Sequence, residues 1–190
     1  MQKKFSQSYY FISEFNYFDL SNLDKNIHII YRNYKKNIDI STLISLKKYC
    51  KKNNKKLFIS NNIKLALKYK LDGIYIPAFN KQLNYIQQSI PKKFEIIGSA
   101  HNHNEILIKQ RQGCKFIFIS PIFKIQKKNY YLNLVKFNLL TLNIKSNFIA
   151  LGGINSKNMN KLRILNISGF AAISFFQKKT APKFKGPLIK

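Results

Sequence analysis

Eight short apolar runs recur along the 190 residues, and a helical or connecting segment follows each of them. The runs are rich in Ile, Phe and Tyr, which is typical of strands buried on both faces. They span residues 9–13, 26–32, 56–60, 73–77, 94–100, 115–120, 147–151 and 169–175. Helices are predicted between them at 41–53, 63–70, 81–89, 104–112, 132–142 and 156–164, with Ser41 as the cap of the first. This alternation predicts parallel strands joined by crossover connections.

Eight parallel strands that close on themselves form a (β/α)₈ barrel, and this is the fold class that we predict. An open doubly wound sheet is the alternative, but it would carry a Gly-rich loop after its first strand. Here Ser13 is followed by Glu14, Phe15 and Asn16. Because the chain is short, we expect a compact TIM barrel with a reduced first helix, within 19–25, and an irregular C-terminal end. Residues 1–176 are predicted to form a single barrel domain and residues 177–190 a basic tail.

The formal charge of +27 comes almost entirely from lysine, with Arg32, Arg111 and Arg163 as the arginines. The lysines are spread along the whole chain, so we predict no specific nucleic-acid partner, although a positive field attracts phosphorylated ligands. No apolar run is long enough for a membrane span and no secretory leader pattern is visible, which predicts a cytoplasmic protein without a membrane partner. Cys50 and Cys114 are predicted to be free thiols. The oligomeric state stays open, a homo-oligomer included.

Polar residues follow nearly every predicted strand, where barrels of this kind place their chemistry. Gly152 and Gly153 follow the seventh strand, and Ser174 ends the eighth. Adjacent glycines let backbone N–H groups approach an anion, and a hydroxyl adds a donor. These three residues therefore predict a phosphate site. A tight turn without a ligand is the alternative reading of the glycine pair.

Three further side chains are candidates at the same end of the barrel. Ser99 and His101 are two residues apart at the end of the fifth strand, so both would point into the mouth and could orient a substrate and move a proton. Hydrogen bonds to nearby loop backbone are the alternative. Arg32 ends the second strand and its planar guanidinium suits a diphosphate, whereas a surface arginine without a role is the other reading. Lys128 lies in the loop after the sixth strand and could reach the mouth.

Over roughly residues 9–176, the order of these segments resembles the thiamine phosphate synthase family and the related thiazole tautomerases. The resemblance rests on an opening strand, an Asp-Gly strand, a Ser-x-His motif, a Ser-Pro-Ile-Phe segment followed by a lysine, an Ala-Leu-Gly-Gly-Ile segment and a final Ile-Ser strand. These are residues 9–13, 71–76, 99–101, 113–128, 150–154 and 169–174. The family's synthases join a hydroxymethylpyrimidine diphosphate to a thiazole phosphate and expel pyrophosphate through a dissociative step. The resemblance thus implies these two small molecules as substrates.

The same resemblance implies a role for each candidate residue. Arg32 matches the arginine that binds the diphosphate, Ser99 a hydroxyl near the pyrimidine, and Lys128 the lysine that neutralises the departing pyrophosphate. Gly152, Gly153 and Ser174 match the cradle of the thiazole phosphate. His101 would move the proton in a tautomerase. These roles are expectations carried over from the family.

The sequence also departs from the family pattern. The synthases use Mg²⁺ held by two aspartates, and these positions are Asn61 and Asn80 here. Neutral amides are poor sole ligands for Mg²⁺, so no protein metal ligand is predicted, while Asn61 stays a phosphate-binding candidate. Three functions are therefore compatible with the sequence: a synthase, active or impaired; a metal-independent tautomerase that uses His101; and a non-catalytic protein that binds a phosphorylated ligand.

Overall fold

Eight parallel strands form a closed barrel in the computed structural model, which describes residues 5–33, 38–85, 89–125 and 130–180. Each strand pairs with the next one in sequence, and the eighth pairs with the first. The strands are β1 (Gln7–Ile12), β2 (Ile27–Tyr31), β3 (Leu57–Ser60), β4 (Gly73–Ile76), β5 (Glu95–Ala100), β6 (Phe116–Ile119), β7 (Asn147–Leu151) and β8 (Gly169–Ala172). The predicted (β/α)₈ fold is confirmed.

Helices surround the barrel, and the described residues contain fewer of them than the eight of a full set. They are α1 (Tyr17–Ser21), α2 (Ile40–Lys52), α3 (Ile63–Lys68), α4 (His103–Arg111), α5 (Asn133–Thr141) and α6 (Ser174–Thr180), with a 3₁₀ helix at Met159–Ile164. The reduced first helix is present as α1, which has five residues. In the described ranges, no helix has the length and apolar character needed to cross a membrane.

Aromatic rings fill the inside of the barrel. The rings of Tyr9 and Phe118 have centroids 4.9 Å apart, and those of Phe11 and Tyr75 lie 5.1 Å apart with their planes nearly perpendicular. Phe58 completes this layer and is fully buried. Edge-to-face packing of this kind is favourable and leaves no channel through the barrel. The interior of the barrel therefore has no room for a ligand.

Aliphatic side chains pack between the strands and the helices. Leu43, Leu46 and Cys50 lie on one face of α2 and are buried, at the spacing that the sequence predicts for an amphipathic helix. The helix begins at Ile40, one residue before the predicted range. Asp39 is its N-cap, and its carboxylate accepts hydrogen bonds from the backbone N–H and the hydroxyl of Ser41. The prediction of Ser41 as the cap is therefore wrong, because Asp39 occupies that position.

Three predicted elements differ in the structure. Residues 81–85 form no helix, although a helix over 81–89 was expected, and 86–88 lie outside the described residues. The segment 156–164 contains turns and the 3₁₀ helix in place of an α-helix, since Asn155 and Asn158 exchange local hydrogen bonds that hold the chain in turns. Helix α6 runs to Thr180, into the region expected to be a tail.

Both cysteines are free thiols, as predicted. Burial raises the pKa of the thiol to about 12 in Cys50 and also in Cys114. The thiolate is the reactive form of cysteine, so neither side chain is a nucleophile at neutral pH.

Candidate active site

A cavity of about 580 Å³ opens at the carboxyl ends of the strands. Its volume is in the range of roughly 300–1,000 Å³ that small-molecule sites occupy. The predicted site residues that line it are Arg32, Ser99, His101, Gly152, Gly153 and Ser174. Asn61 lies outside the lining, and Lys128 lies outside the described residues. The structure therefore brings together six predicted residues from four separate segments of the chain.

His101 lies directly after β5 and is held by three groups. Its ring Nδ1 is 2.6 Å from the backbone carbonyl oxygen of Ser120 and 3.3 Å from the Ser120 hydroxyl. Its backbone N–H donates to the Glu105 carboxylate at 2.7 Å. Because a carbonyl oxygen can only accept, Nδ1 donates in that bond and Nε2 is the basic nitrogen of the neutral ring. The contacts thus fix the tautomer of the ring and leave Nε2 as the nitrogen that can accept a proton.

Ser99 faces the inside of the barrel from β5. Ile97, two residues earlier, belongs to the interior cluster, and the alternation of a strand carries Ser99 to the same side. The side chain is 5% exposed and lines the cavity with His101. Ser99 and His101 are therefore on one wall, as the two-residue spacing predicts.

The two glycines after β7 form a sharp turn that lines the cavity. Gly152 and Gly153 have φ angles of 94° and 71°, which side chains other than glycine rarely adopt. A Cβ at Gly153 would lie 2.6 Å from the carbonyl oxygen of Phe123, so the loop after β6 packs directly on the turn. Asn158 fixes the turn from outside, donating to the carbonyl of Gly153 at 2.8 Å.

This turn is compatible with both readings of the glycine pair. Close packing on the loop after β6 already requires glycine, so the conformation alone does not need a ligand. Within the described part of the chain, however, no hydrogen bond uses the N–H of Gly153, and the residue lines the cavity. Ser174 lines the same cavity from the start of α6. A backbone donor that could bind an anion is therefore available beside the cavity, which Ser174 also lines.

Arg32 follows β2 and lines the cavity. Its guanidinium carbon lies 4.9 Å from the centroid of the Phe11 ring, a distance at which a cation–π contact orients the group. Its backbone N–H donates to Ile12 at 2.8 Å and extends the pairing of β1 and β2 by one residue. Of the three arginines, Arg32 is the one that lines the cavity.

Asn61 and Asn80 hydrogen bond to each other. The Asn80 amide nitrogen donates to Asn61 Oδ1 at 2.5 Å and to the hydroxyl of Tyr85 at 2.6 Å, while Asn80 Oδ1 accepts from the backbone N–H of Gln82. Three of the polar atoms of the pair are thus used within the protein. No group of three or more His, Cys, Asp and Glu that could hold a metal exists within the described ranges. The neutral side chains of Asn61 and Asn80 therefore do not fit as the protein ligands of a Mg²⁺ ion.

Three further residues that line the cavity, and Ser60 beside it at the end of β3, were not among the site residues predicted from the sequence. Among the described residues that line the cavity, Glu105 is the one with an acidic side chain, and it is half-buried. Ser120 orients His101, and Tyr75 closes the floor from β4. Ser60 ends β3, is 5% exposed, and its hydroxyl has no partner among the described residues. Ser60 and Ser120 end two of the predicted strands, whereas Glu105 reaches the cavity from α4, whose position the sequence does not give.

Comparisons with known proteins agree with this architecture. A model of the thiamine monophosphate synthase family matches residues 28–176. The thiamine-phosphate synthase of Prochlorococcus marinus subsp. pastoris is 29% identical over 169 residues, which cover 86% of this chain and 48% of that protein. The same enzyme from Prochlorococcus marinus strain SARG is 32% identical over 128 residues, which cover 66% of this chain and 37% of that protein. The chain spans about half or less of the length of these curated relatives.

Solved structures share the fold. A thiamine phosphate pyrophosphorylase from Pyrococcus furiosus superimposes with a TM-score of 0.71 at 16% identity, covering 92% of each chain. FabK from Thermotoga maritima superimposes with a TM-score of 0.67 at 11% identity, covering 90% of this chain and 59% of that one. At such identities the likeness shows the barrel alone. The family assignment rests on the sequence model, which covers well over half of the residues: this chain belongs to the thiamine monophosphate synthase family.

Proposed function

We propose that the chain catalyses the thiamine phosphate synthase reaction, in which a hydroxymethylpyrimidine diphosphate and a thiazole phosphate form thiamine phosphate and pyrophosphate. The observation that supports this most is the single cavity that Arg32, Ser99, His101 and the Gly152–Gly153 turn share. Two phosphorylated substrates need two anion-binding regions, and the cavity has candidates for both. Membership of the thiamine monophosphate synthase family supports the class of reaction.

The two substrates are assigned to opposite sides of the mouth. The turn at Gly152–Gly153 donates backbone N–H groups to the monophosphate of the thiazole, and Ser174 adds a hydroxyl. Arg32 binds the diphosphate of the pyrimidine, since a planar guanidinium matches two phosphate oxygens. Ser99 contacts the pyrimidine ring from β5. This arrangement directs the reacting carbon of one substrate towards the ring nitrogen of the other.

The chemical step breaks one bond and forms one. The bond between the pyrimidine methylene carbon and the diphosphate oxygen breaks, and its electron pair leaves with pyrophosphate. The lone pair of the thiazole nitrogen then forms the new bond to the methylene carbon. Positive charges near the diphosphate lower the barrier because they stabilise the departing anion. Arg32 supplies one such charge, and Lys128 stays a prediction for a second.

The test is a product assay with the purified protein and both substrates, with and without Mg²⁺. We expect thiamine phosphate and pyrophosphate to appear in equal amounts. His101→Ala is compared with His103→Ala, because His103 is exposed and does not line the cavity. Absence of coupling under both conditions overturns the proposal. If the protein isomerises a thiazole phosphate and only His101→Ala abolishes this, the tautomerase function replaces it.

A further inference from the structure

A lysine is buried beneath the rim of the cavity. Lys109, on α4, is 0% exposed, and its ammonium group donates three hydrogen bonds. The acceptors are the backbone carbonyls of Pro77 and Asn80, at 2.9 and 2.8 Å, and the Gln112 side-chain oxygen at 2.8 Å. An ammonium group is buried only where acceptors replace water, so these carbonyls are a dedicated binding site for it.

Gln112 binds the same loop from the end of α4. Its amide nitrogen donates to the carbonyls of Asn80 and Gln82, at 3.0 and 2.7 Å. Its oxygen accepts from Lys109, so the amide is fully oriented. Together the two side chains make four hydrogen bonds to residues 77–82. These residues form no helix, and side chains of α4 satisfy their carbonyls instead.

The neighbouring strand leaves space for the lysine. A Cβ added at Gly98 in β5 would lie 2.8 Å from Lys109 Cδ and 2.9 Å from Cys114 Sγ. The aliphatic part of the Lys109 side chain therefore crosses β5 at Gly98, where the strand has no side chain. Burial lowers the pKa of Lys109 to about 8, so the ammonium form predominates at neutral pH and is the form that donates to the loop.

The loop that Lys109 and Gln112 hold is one wall of the cavity. Pro77, Ala78 and Phe79 line the cavity on the β4 side. Asn80, at the next position, donates to Asn61 and so connects the loop to the end of β3. A movement of this loop changes the shape of the cavity directly.

We propose that Lys109 and Gln112 are positioning residues that hold residues 77–82 as a fixed wall of the cavity and so set its affinity for the pyrimidine diphosphate. The choice of ligand rests on the proposed function, whereas the fixed wall rests on the contacts alone. Neither residue touches the cavity, because neither is among its lining residues. Their effect on binding is therefore transmitted by the loop.

The chain contains a matched control. Lys55 is also buried, at 6% exposed, and its ammonium group donates to the backbone carbonyls of Leu23, Asp24 and Ile27. Leu23 and Asp24 precede β2, and Ile27 is its first residue. All three acceptors lie at the amino end of the barrel, away from the cavity. Removing Lys55 therefore removes a comparable set of buried hydrogen bonds without touching the cavity wall.

The experiment compares Lys109→Met, Gln112→Glu and Lys55→Met with the wild type. The Gln112→Glu variant keeps an oxygen that accepts from Lys109 but loses both N–H donors that bind the loop. It provides a second test of the loop contacts in case Lys109→Met does not fold. Two quantities are measured: the Kd for hydroxymethylpyrimidine diphosphate by calorimetry, and amide hydrogen exchange of residues 77–82. We expect both loop variants to raise the Kd and the exchange rate tenfold or more, and Lys55→Met to change neither.

Two outcomes overturn the proposal: loop variants that bind and exchange like the wild type, or a Lys55→Met variant that changes both quantities to the same extent. A wild type that binds no pyrimidine diphosphate refutes the proposed function and the link to affinity. In that case the exchange of residues 77–82 still decides whether Lys109 and Gln112 fix the wall.

Discussion

The side chain and the backbone of Arg32 are held in place by contacts within the protein. Its guanidinium lies against Phe11, whose ring belongs to the interior core and cannot move without disturbing β1. Its backbone is fixed by the bond to Ile12. A guanidinium held in this way loses less conformational entropy on binding than a free surface side chain does.

Arg32→Met is expected to weaken the binding of hydroxymethylpyrimidine diphosphate by about 10- to 100-fold. The estimate follows from the roughly 1.5–3 kcal/mol that a hydrogen bond to a charged group contributes. Calorimetric titration at fixed salt measures it. Arg163→Met is the control, because Arg163 is exposed and does not line the cavity. Equal losses in the two variants would mean that general charge attracts the ligand and that Arg32 has no specific role.

At the scale of elements, the turn after β7 and the loop after β6 act as one unit. The backbone N–H groups of Ile122 and Phe123 donate to the carbonyls of Leu151 and Gly152, at 3.0 and 3.2 Å. The absence of side chains at Gly152 and Gly153 permits this approach. The turn is therefore rigid because another loop covers it, and this rigidity would favour anion binding.

Gly153→Ala should lower the free energy of unfolding by about 1–3 kcal/mol, because the new methyl group meets the carbonyl of Phe123 and the φ angle is unfavourable. It should also weaken the binding of thiazole phosphate. Denaturant unfolding and calorimetry measure the two effects. Gly113→Ala is the control, since Gly113 has a φ of 73° but is exposed at the end of α4. Unchanged thiazole phosphate binding in Gly153→Ala would contradict the assigned phosphate site.

The strands could be predicted because their apolar runs are short, separate and buried on both faces, and the site region followed from their carboxyl ends. Residues 81–85 could not be predicted, because their pattern favours a helix while Lys109 and Gln112 bind the carbonyls of the loop from α4. Such contacts join residues about thirty positions apart. The orientation of His101 by Ser120 has the same long-range origin.

At the scale of the whole molecule, the two ends of the barrel differ. The carboxyl end has the cavity, while the amino end has ionisable groups that contact one another. Glu95 forms ion pairs with Lys56 and Lys115, and His28 Nδ1 accepts from the backbone N–H of Lys56. Burial, and next the charge of Lys56, lower the pKa of His28 to about 4. The amino end therefore favours a neutral imidazole and contributes to stability in a pH-dependent way.

The free energy of unfolding should fall as the pH decreases from about 6.5 to about 4. In this window the unfolded chain protonates His28 at its ordinary pKa, whereas the folded protein does not, so acid favours unfolding. The loss is about 1–3 kcal/mol, allowing for partial exposure of the ring. His28→Asn keeps an acceptor for Lys56 and does not titrate, so this contribution should disappear. Identical slopes in the two proteins, measured by denaturant unfolding at each pH, would count against this assignment.

We propose that the cavity at the carboxyl ends of the strands binds the phosphorylated substrates. A crystal structure of the protein with bound thiazole phosphate would test this claim. We expect the phosphate within about 3.2 Å of the backbone nitrogen of Gly153, a normal hydrogen-bond distance, and next to the Ser174 hydroxyl. A phosphate bound instead among the surface lysines, with the cavity empty, would contradict the claim.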